Sequence, residues 1–228
     1  MGQCVIIYGK SGSGKSRSLK EFKEDEILFI NVEKKLLPFR KKFKYVLESD
    51  DVNKMKVWLK KMPMKVAVID DAGYILTNLF MKGHSAGRKG SQTFDLYNDI
   101  ADQYWGLFRF IKDKLPHDVI VYILMHEDTN DSGIVKLKTI GKLLDDKVCL
   151  EGLCTIVLRC QSEEGRHFFR TTTDGYDITK APEELFDSDA IPNDLALVDR
   201  TIREYYGWIS EPEVEETVTE SEEKHVEA

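Results

Sequence analysis

Eight consecutive residues near the start of the chain, Gly9, Lys10, Ser11, Gly12, Ser13, Gly14, Lys15 and Ser16, fit the spacing G-x-x-x-x-G-K-[ST] in full. That pattern holds a polyphosphate. The glycines let backbone N–H groups curl around an anion without Cβ clashes, and the start of the next element adds its positive end. Lys15 supplies a mobile cation for the β- and γ-oxygens, and the Ser16 hydroxyl is the expected ligand for Mg²⁺. Arg17 follows at the mouth of the loop. ATP and Mg²⁺ are the cofactors this arrangement calls for.

Three further positions supply the rest of a phosphoryl-transfer site. Val66-Ala67-Val68-Ile69-Asp70-Asp71 reads as a buried strand delivering a carboxylate at its C-terminal end, the end where parallel sheets bind ligands. Asp70 is the expected magnesium carboxylate, and Asp71 could share that task or act on water. Glu33 follows the apolar run Ile27–Asn31, so it falls at the same rim. It is either the group that orients a water nucleophile or a solvated loop residue beside Lys34 and Lys35. His126 closes the run Val119–Met125 and is placed to touch a γ-phosphate.

Positioning these groups requires strands that alternate with helices. Strands are expected over 3–8, 27–31, 43–47, 65–70, 118–125, 153–160 and 167–173, the last two as an antiparallel edge hairpin. Helices are expected over about 16–24, and from Asp50 or Asp51 to Pro63. A long one should run from Ser91 or Thr93 to Leu115, with Phe94, Tyr97, Ile100, Tyr104, Phe108 and Ile111 on one stripe. A last one should run from Asn193 or Asp194 to Tyr206. The predicted fold is α/β: a mainly parallel central sheet flanked by helices, as one domain over 1–210.

Composition excludes other classes. The chain has 228 residues, 42% hydrophobic and 32% charged, with 15 Gly and 6 Pro, which is neither collagenous nor wholly disordered. No apolar run reaches the ~20 residues a bilayer helix needs. A soluble, cytoplasmic protein without membrane partners is expected. Cys4, Cys149, Cys154 and Cys160 form no C-x-x-C pair and read as reduced thiols. The segment 211–228 holds eight Glu and one Lys, which accounts for the whole formal charge of −7. It is expected to be a disordered acidic tail, serving solubility or lying over a basic surface as a DNA mimic. Residues 1–69 carry 16 Lys and Arg against 8 Asp and Glu, a local excess that suggests a polyanion partner.

Together these motifs resemble the RecA-like P-loop ATPases. The likeness is strongest to short, single-domain phage proteins described as nucleotide-binding or single-strand annealing recombination proteins, and it covers about residues 3–206. It rests on Gly9–Ser16, Asn31-Val32-Glu33, Val66–Asp70 and Tyr122-Ile123-Leu124-Met125-His126, with moderate support from 138–142, 150–152 and 170–175. The resemblance implies a sensor strand lying between the phosphate-loop and Asp70 strands. It implies Glu33 as hydrolytic base and His126 as sensor. It also implies ATP at the interface of a homo-oligomeric ring or filament, and a DNA-stimulated ATPase in the host cytoplasm, with a single-strand DNA-binding protein as a further partner. Two departures stand out: the extra DNA-binding domains of larger recombinases are missing, and Asp71 stands where they carry a small residue.

In that family two loops hold single-stranded DNA. Here the first is 82–91, with Lys82, Arg88 and Lys89 among glycines and small residues, and the second is 127–146, with Lys136 and Lys138. Neither offers a large aromatic for stacking, so binding there should be electrostatic. Arg170, on the hairpin, is expected to reach a neighbouring subunit's γ-phosphate. Two alternatives remain open from sequence: a small-molecule or nucleotide kinase, disfavoured by scattered arginines, and a nucleotide-gated loader with little hydrolysis.

Overall fold

The computed structural model describes residues 1–86, 91–140 and 143–209. Among the described residues nine strands form the sheet: β1 (Gln3–Gly9), β2 (Ile27–Asn31), β3 (Tyr45–Leu47), β4 (Val66–Asp70), β5 (Ile120–Thr129), β6 (Val135–Leu137), β7 (Ile156–Glu163), β8 (Arg166–Arg170) and β9 (Ala190–Pro192). The main order is β3-β2-β4-β5-β1-β7-β8-β9, and β6 pairs with the end of β5. Pairings from β3 through β7 along that order are parallel, while β7–β8 and β8–β9 are antiparallel. This is the expected α/β architecture, including the edge hairpin. The expected position of the sensor strand is also observed, because β5 separates β1 from β4.

Alternate residues of the central strands feed two apolar layers, as a sheet covered on both faces requires. Ile6, Tyr8, Ile69 and Ile123 pack under α1 (Val52–Lys61), α2 (Gly73–Ser85) and α3 (Ser91–Lys114). Val5, Ile7, Val68 and Leu124 pack under α4 (Leu195–Tyr205) together with Leu19 and Phe22. Asp51 caps α1 and Asp194 caps α4, each accepting two backbone N–H bonds. No described helix is long and apolar enough to cross a membrane.

Several elements differ from their sequence reading. The helix expected over 16–24 is a single 3-10 turn, Ser16–Leu19. The Lys41 ammonium donates to the carbonyls of Lys20 and Phe22, and Lys44 N–H takes that of Glu24. An α-helix through Glu24 would need the Lys20 carbonyl for the Glu24 N–H. Helix α2 was not expected, because Ala72 offers no side-chain cap, although Ile75, Leu76, Leu79 and Phe80 carry helical spacing. Leu96 packs against Gly83, where even a Cβ would meet it at 2.5 Å. Phe94, placed on the buried stripe from sequence, is therefore 69% exposed. Strand β5 continues through His126 to Thr129 because Val135–Leu137 pairs with it. The hairpin turns at Glu164 and Gly165, both with positive φ, so β8 starts and ends earlier than expected. The tail 211–228, Arg88, Lys89 and Lys142 lie outside the described residues.

At the other end of the sheet from the phosphate loop, Asp199 of α4 accepts from Tyr122 Oη at 2.9 Å and from Arg203 Nε at 2.6 Å. Arg203 also donates to the carbonyls of Asp118 and Lys65. Both charged side chains are buried. Removing one partner strands the other's charge in an apolar layer. Asp199→Ala is therefore expected to cost about 3 kcal/mol of unfolding free energy in urea denaturation, leaving nucleotide affinity at the distant loop unchanged.

Candidate functional site

Strand β1 ends at Gly9, and the chain then turns over the C-terminal ends of β5 and β7. Gly12 and Gly14 adopt φ of 78° and 107°, a region that side chains with a Cβ avoid. Gly9 is required for a different reason: a Cβ there would lie 2.3 Å from the Cys160 carbonyl oxygen. The loop is clamped from behind by the hairpin. His167 Nδ1 and Cys160 Sγ both contact the Ser13 carbonyl, at 2.8 and 3.2 Å, and a Cβ on Gly14 would meet the His167 ring. Arg17 reaches Asn193 Oδ1 at 3.3 Å.

Lys15 folds back over the loop. Its ammonium donates to the carbonyls of Gly9 and Lys10, both at 2.9 Å. Burial pulls its pKa below the ordinary lysine value, against the pull of Asp71 and Asp70. Ser16 Oγ lies 3.0 Å from Asp70 Oδ1, joining the expected hydroxyl and carboxylate across the sheet. The Asp70 carboxyl is pushed up to about 6, first by burial and then by the Asp71 charge. Asp71 behaves oppositely. Burial alone would raise it, but hydrogen bonds from His126 and Lys35 outweigh that and hold it at about 2. Lys35 Nζ is 2.6 Å from Asp71 Oδ2, and His126 Nε2 is 3.4 Å from Oδ1. Asp71 thus turns toward Lys35 and His126, and Ser16 is partnered by Asp70. Its φ of 57° is one Asp tolerates better than most residues.

These groups surround a cleft of about 330 Å³ lined by Gly14, Lys15, Ser16, Arg17, Lys35, Asp71, His126 and His167, with Leu36 and Pro38 at its mouth. The donor set fits a magnesium nucleotide. Ser13 Oγ is buried with no hydrogen-bond partner, a group left for an incoming acceptor. A hydroxyl beside a carboxyl whose pKa is raised by burial and a like charge suits a hard divalent cation shared with phosphate oxygens. Among the described residues no cluster of three His, Cys, Asp or Glu could hold a metal unaided.

Other expected site residues stand at varying distances from this centre. Glu33 follows β2 and accepts from Asn78 Nδ2 of α2 at 2.9 Å. It does not belong to the lining of the cleft. Arg170 pairs with Asp174 at 3.2 Å and also donates to the Thr172 carbonyl. Lys82 lies on α2, not in a loop, and pairs with Asp50 at 2.5 Å. Lys136 lies on β6, and Lys138 N–H donates to the His126 carbonyl at 2.9 Å. The expected second loop is thus in part a hairpin continuing the sensor strand. Sequence reading missed Lys35 and His167. Lys35 was visible only as half of a Lys pair after Glu33, and nothing short of the Ser162–His167 register of the hairpin places His167 on the phosphate loop.

A family model described as an AAA domain matches residues 1–187. The chain belongs to the AAA domain family. No curated protein matches it. The AAA domain match agrees with the coarser expectation of a P-loop NTPase that binds and turns over nucleotide. In this AAA domain the phosphate loop, the Ser16–Asp70 pair and Asp71 with its partners Lys35 and His126 all lie at the C-terminal ends of β1, β2, β4 and β5.

Proposed function

We propose that the protein is a magnesium-dependent ATPase of RecA-like type that binds single-stranded DNA in recombination or strand annealing. The observation that carries the reading is the Ser16–Asp70 contact at 3.0 Å across two strands separated by the sensor strand. Lys15 binds the terminal phosphates, Ser13 and the loop N–H groups hold the β-phosphate region, and His126 contacts the γ-phosphate. Bound magnesium supplies charge neutralisation at the phosphate oxygens. Glu33 orients the attacking water once released from Asn78. Arg170 acts across a subunit interface, in a homo-oligomeric ring or filament. The basic stretch 82–91, with Arg88 and Lys89, and the Lys136–Lys138 hairpin contact DNA. A phage origin, work in the host cytoplasm and a single-strand DNA-binding protein as partner accompany this reading.

One observation favours a second reading, a nucleotide-gated module with little hydrolysis: the Asn78 bond that holds Glu33 outside the cleft. ATP turnover measured with and without magnesium and an oligonucleotide, beside light scattering, tests the first. Magnesium-dependent turnover raised several-fold by single-stranded DNA is expected. Neither turnover nor oligonucleotide binding at any salt concentration would overturn it.

A further inference from the structure

The connection from β2 to β3 is the most basic part of the chain. Residues 34–44 read Lys-Lys-Leu-Leu-Pro-Phe-Arg-Lys-Lys-Phe-Lys, six cations and no acid in eleven residues. Three of the six are already engaged. Lys35 is held by Asp71, Lys41 closes the turn after the phosphate loop, and Lys44 lies over the Tyr45 ring at 5.3 Å. Lys34, Arg40 and Lys42 are exposed and form no ion pair among the described residues.

This connection lines an open groove of about 930 Å³. Its lining combines apolar Phe29, Leu37, Phe39 and Val46 with the cations of Arg40 and Lys42. Glu24 and Glu48 also line it. Cations among aromatic side chains match an unstacked base and its phosphates, which single strands present and duplexes hide. The groove adjoins the nucleotide cleft, since Lys35 and Leu36 line both. Leu36 is 97% exposed.

We propose that this groove beside the β2–β3 connection is a binding surface for single-stranded nucleic acid, with Arg40 and Lys42 on phosphates and Phe39 under a base. The inference deepens the DNA-binding reading above and rests on it, but moves the contact to residues other than 82–91 and 127–146. It also supplies a link to nucleotide. Lys35 and His126 share Asp71, so when either turns to a γ-phosphate, the tether of the connection at Asp71 changes, and the groove lining moves with Lys35.

The test is fluorescence anisotropy of a labelled oligothymidylate with the full chain, nucleotide-free and with a non-hydrolysable ATP analogue plus magnesium. Arg40→Glu with Lys42→Glu is expected to weaken binding at least tenfold at low salt. It should also reduce the slope of log affinity against log salt by about 1.4, two phosphate contacts on a single strand. Phe39→Leu is expected to lose about fivefold with the salt slope unchanged, the signature of stacking. The charge-reversed side chains are exposed, so the thermal midpoint should not move. Lys35→Met should remove the difference between the two nucleotide conditions.

Wild-type affinity in the double variant, with Arg88→Glu and Lys89→Glu abolishing binding, overturns the inference while the DNA-binding reading stands. Intact binding with an altered particle mass in light scattering makes the groove an interface between copies, and overturns it too. If the wild-type chain binds no oligonucleotide in either condition, the inference falls together with the DNA-binding reading.

Discussion

Lys15→Met is expected to abolish the thermal stabilisation that ATP and magnesium confer, without lowering the stability of the nucleotide-free protein. The two halves of that result have separate physical origins. In the free protein the Lys15 ammonium is buried and satisfied only by the carbonyls of Gly9 and Lys10. Burial lowers its pKa, so the charged form is less stable here than in water, and removing the charge relieves the fold. A methionine of similar length fills the space, and Lys10, which supplies one of the two carbonyls, is an exposed residue. The nucleotide-free midpoint should stay within about 2 °C of wild type.

With nucleotide the balance reverses. A charge-assisted bond to phosphate contributes about 3 kcal/mol, roughly 100-fold in affinity. A ligand at a hundred times its Kd stabilises the folded state by about 2.7 kcal/mol, on the order of 5–10 °C for a domain of this size. A hundredfold loss of affinity reduces that to about 0.4 kcal/mol. A variant that keeps the ATP-dependent shift would show that the phosphates are held elsewhere. A variant that unfolds early without ligand would show that Lys15 is structural.

The phosphate-binding half of this site is written in local sequence because its parts are adjacent. Gly12, Gly14, Lys15 and Ser16 lie in one short loop, and the backbone geometry each requires is fixed by residue type. Asp70 is legible for a related reason: a strand buried on both faces must surface somewhere, and its first polar residue marks the rim. The other half was not legible because it is made of meetings between distant segments. The Asp71 carboxylate is shared by Lys35 and His126, which lie 36 and 55 positions away, on the β2–β3 connection and on β5. Sequence presents Asp71 only as a repeat of Asp70, so its contact with Lys35 and His126 depends on the tertiary fold. His167 reaches Ser13 across 154 positions through the hairpin register.

Helix α2 shows how a missed element spreads. Without it, 82–91 reads as one basic loop directly after the Asp70 strand. With it, Lys82 lies on a helix, ion-paired to Asp50, and Asn78 is carried to Glu33. The tertiary meeting of Asn78 with Glu33 bears directly on the proposed hydrolysis.

Glu33→Gln is expected to reduce ATP turnover by at least about 100-fold while leaving nucleotide affinity within about threefold of wild type. Positioned acid–base groups contribute about 10²–10⁴ to rate, and a residue outside the lining of the phosphate cleft adds little to ground-state binding. That separation of rate from affinity is the signature of an interaction made only as the reaction proceeds. Glutamine keeps the acceptor that Asn78 Nδ2 bonds at 2.9 Å, so the local structure survives and lost activity reports the carboxylate's chemistry. Asn78→Ala supplies the complementary measurement. It frees the carboxylate without changing it, so turnover without DNA is expected to hold at the wild-type level or rise. Full turnover in Glu33→Gln would assign the water-orienting role to another group on the rim. Equally low turnover in the wild type and in Glu33→Gln, with intact ATP binding in both, would favour the gated module over the ATPase. In that event Asn78→Ala decides between them, because turnover that appears only when Asn78 is removed identifies a competent base held back by α2.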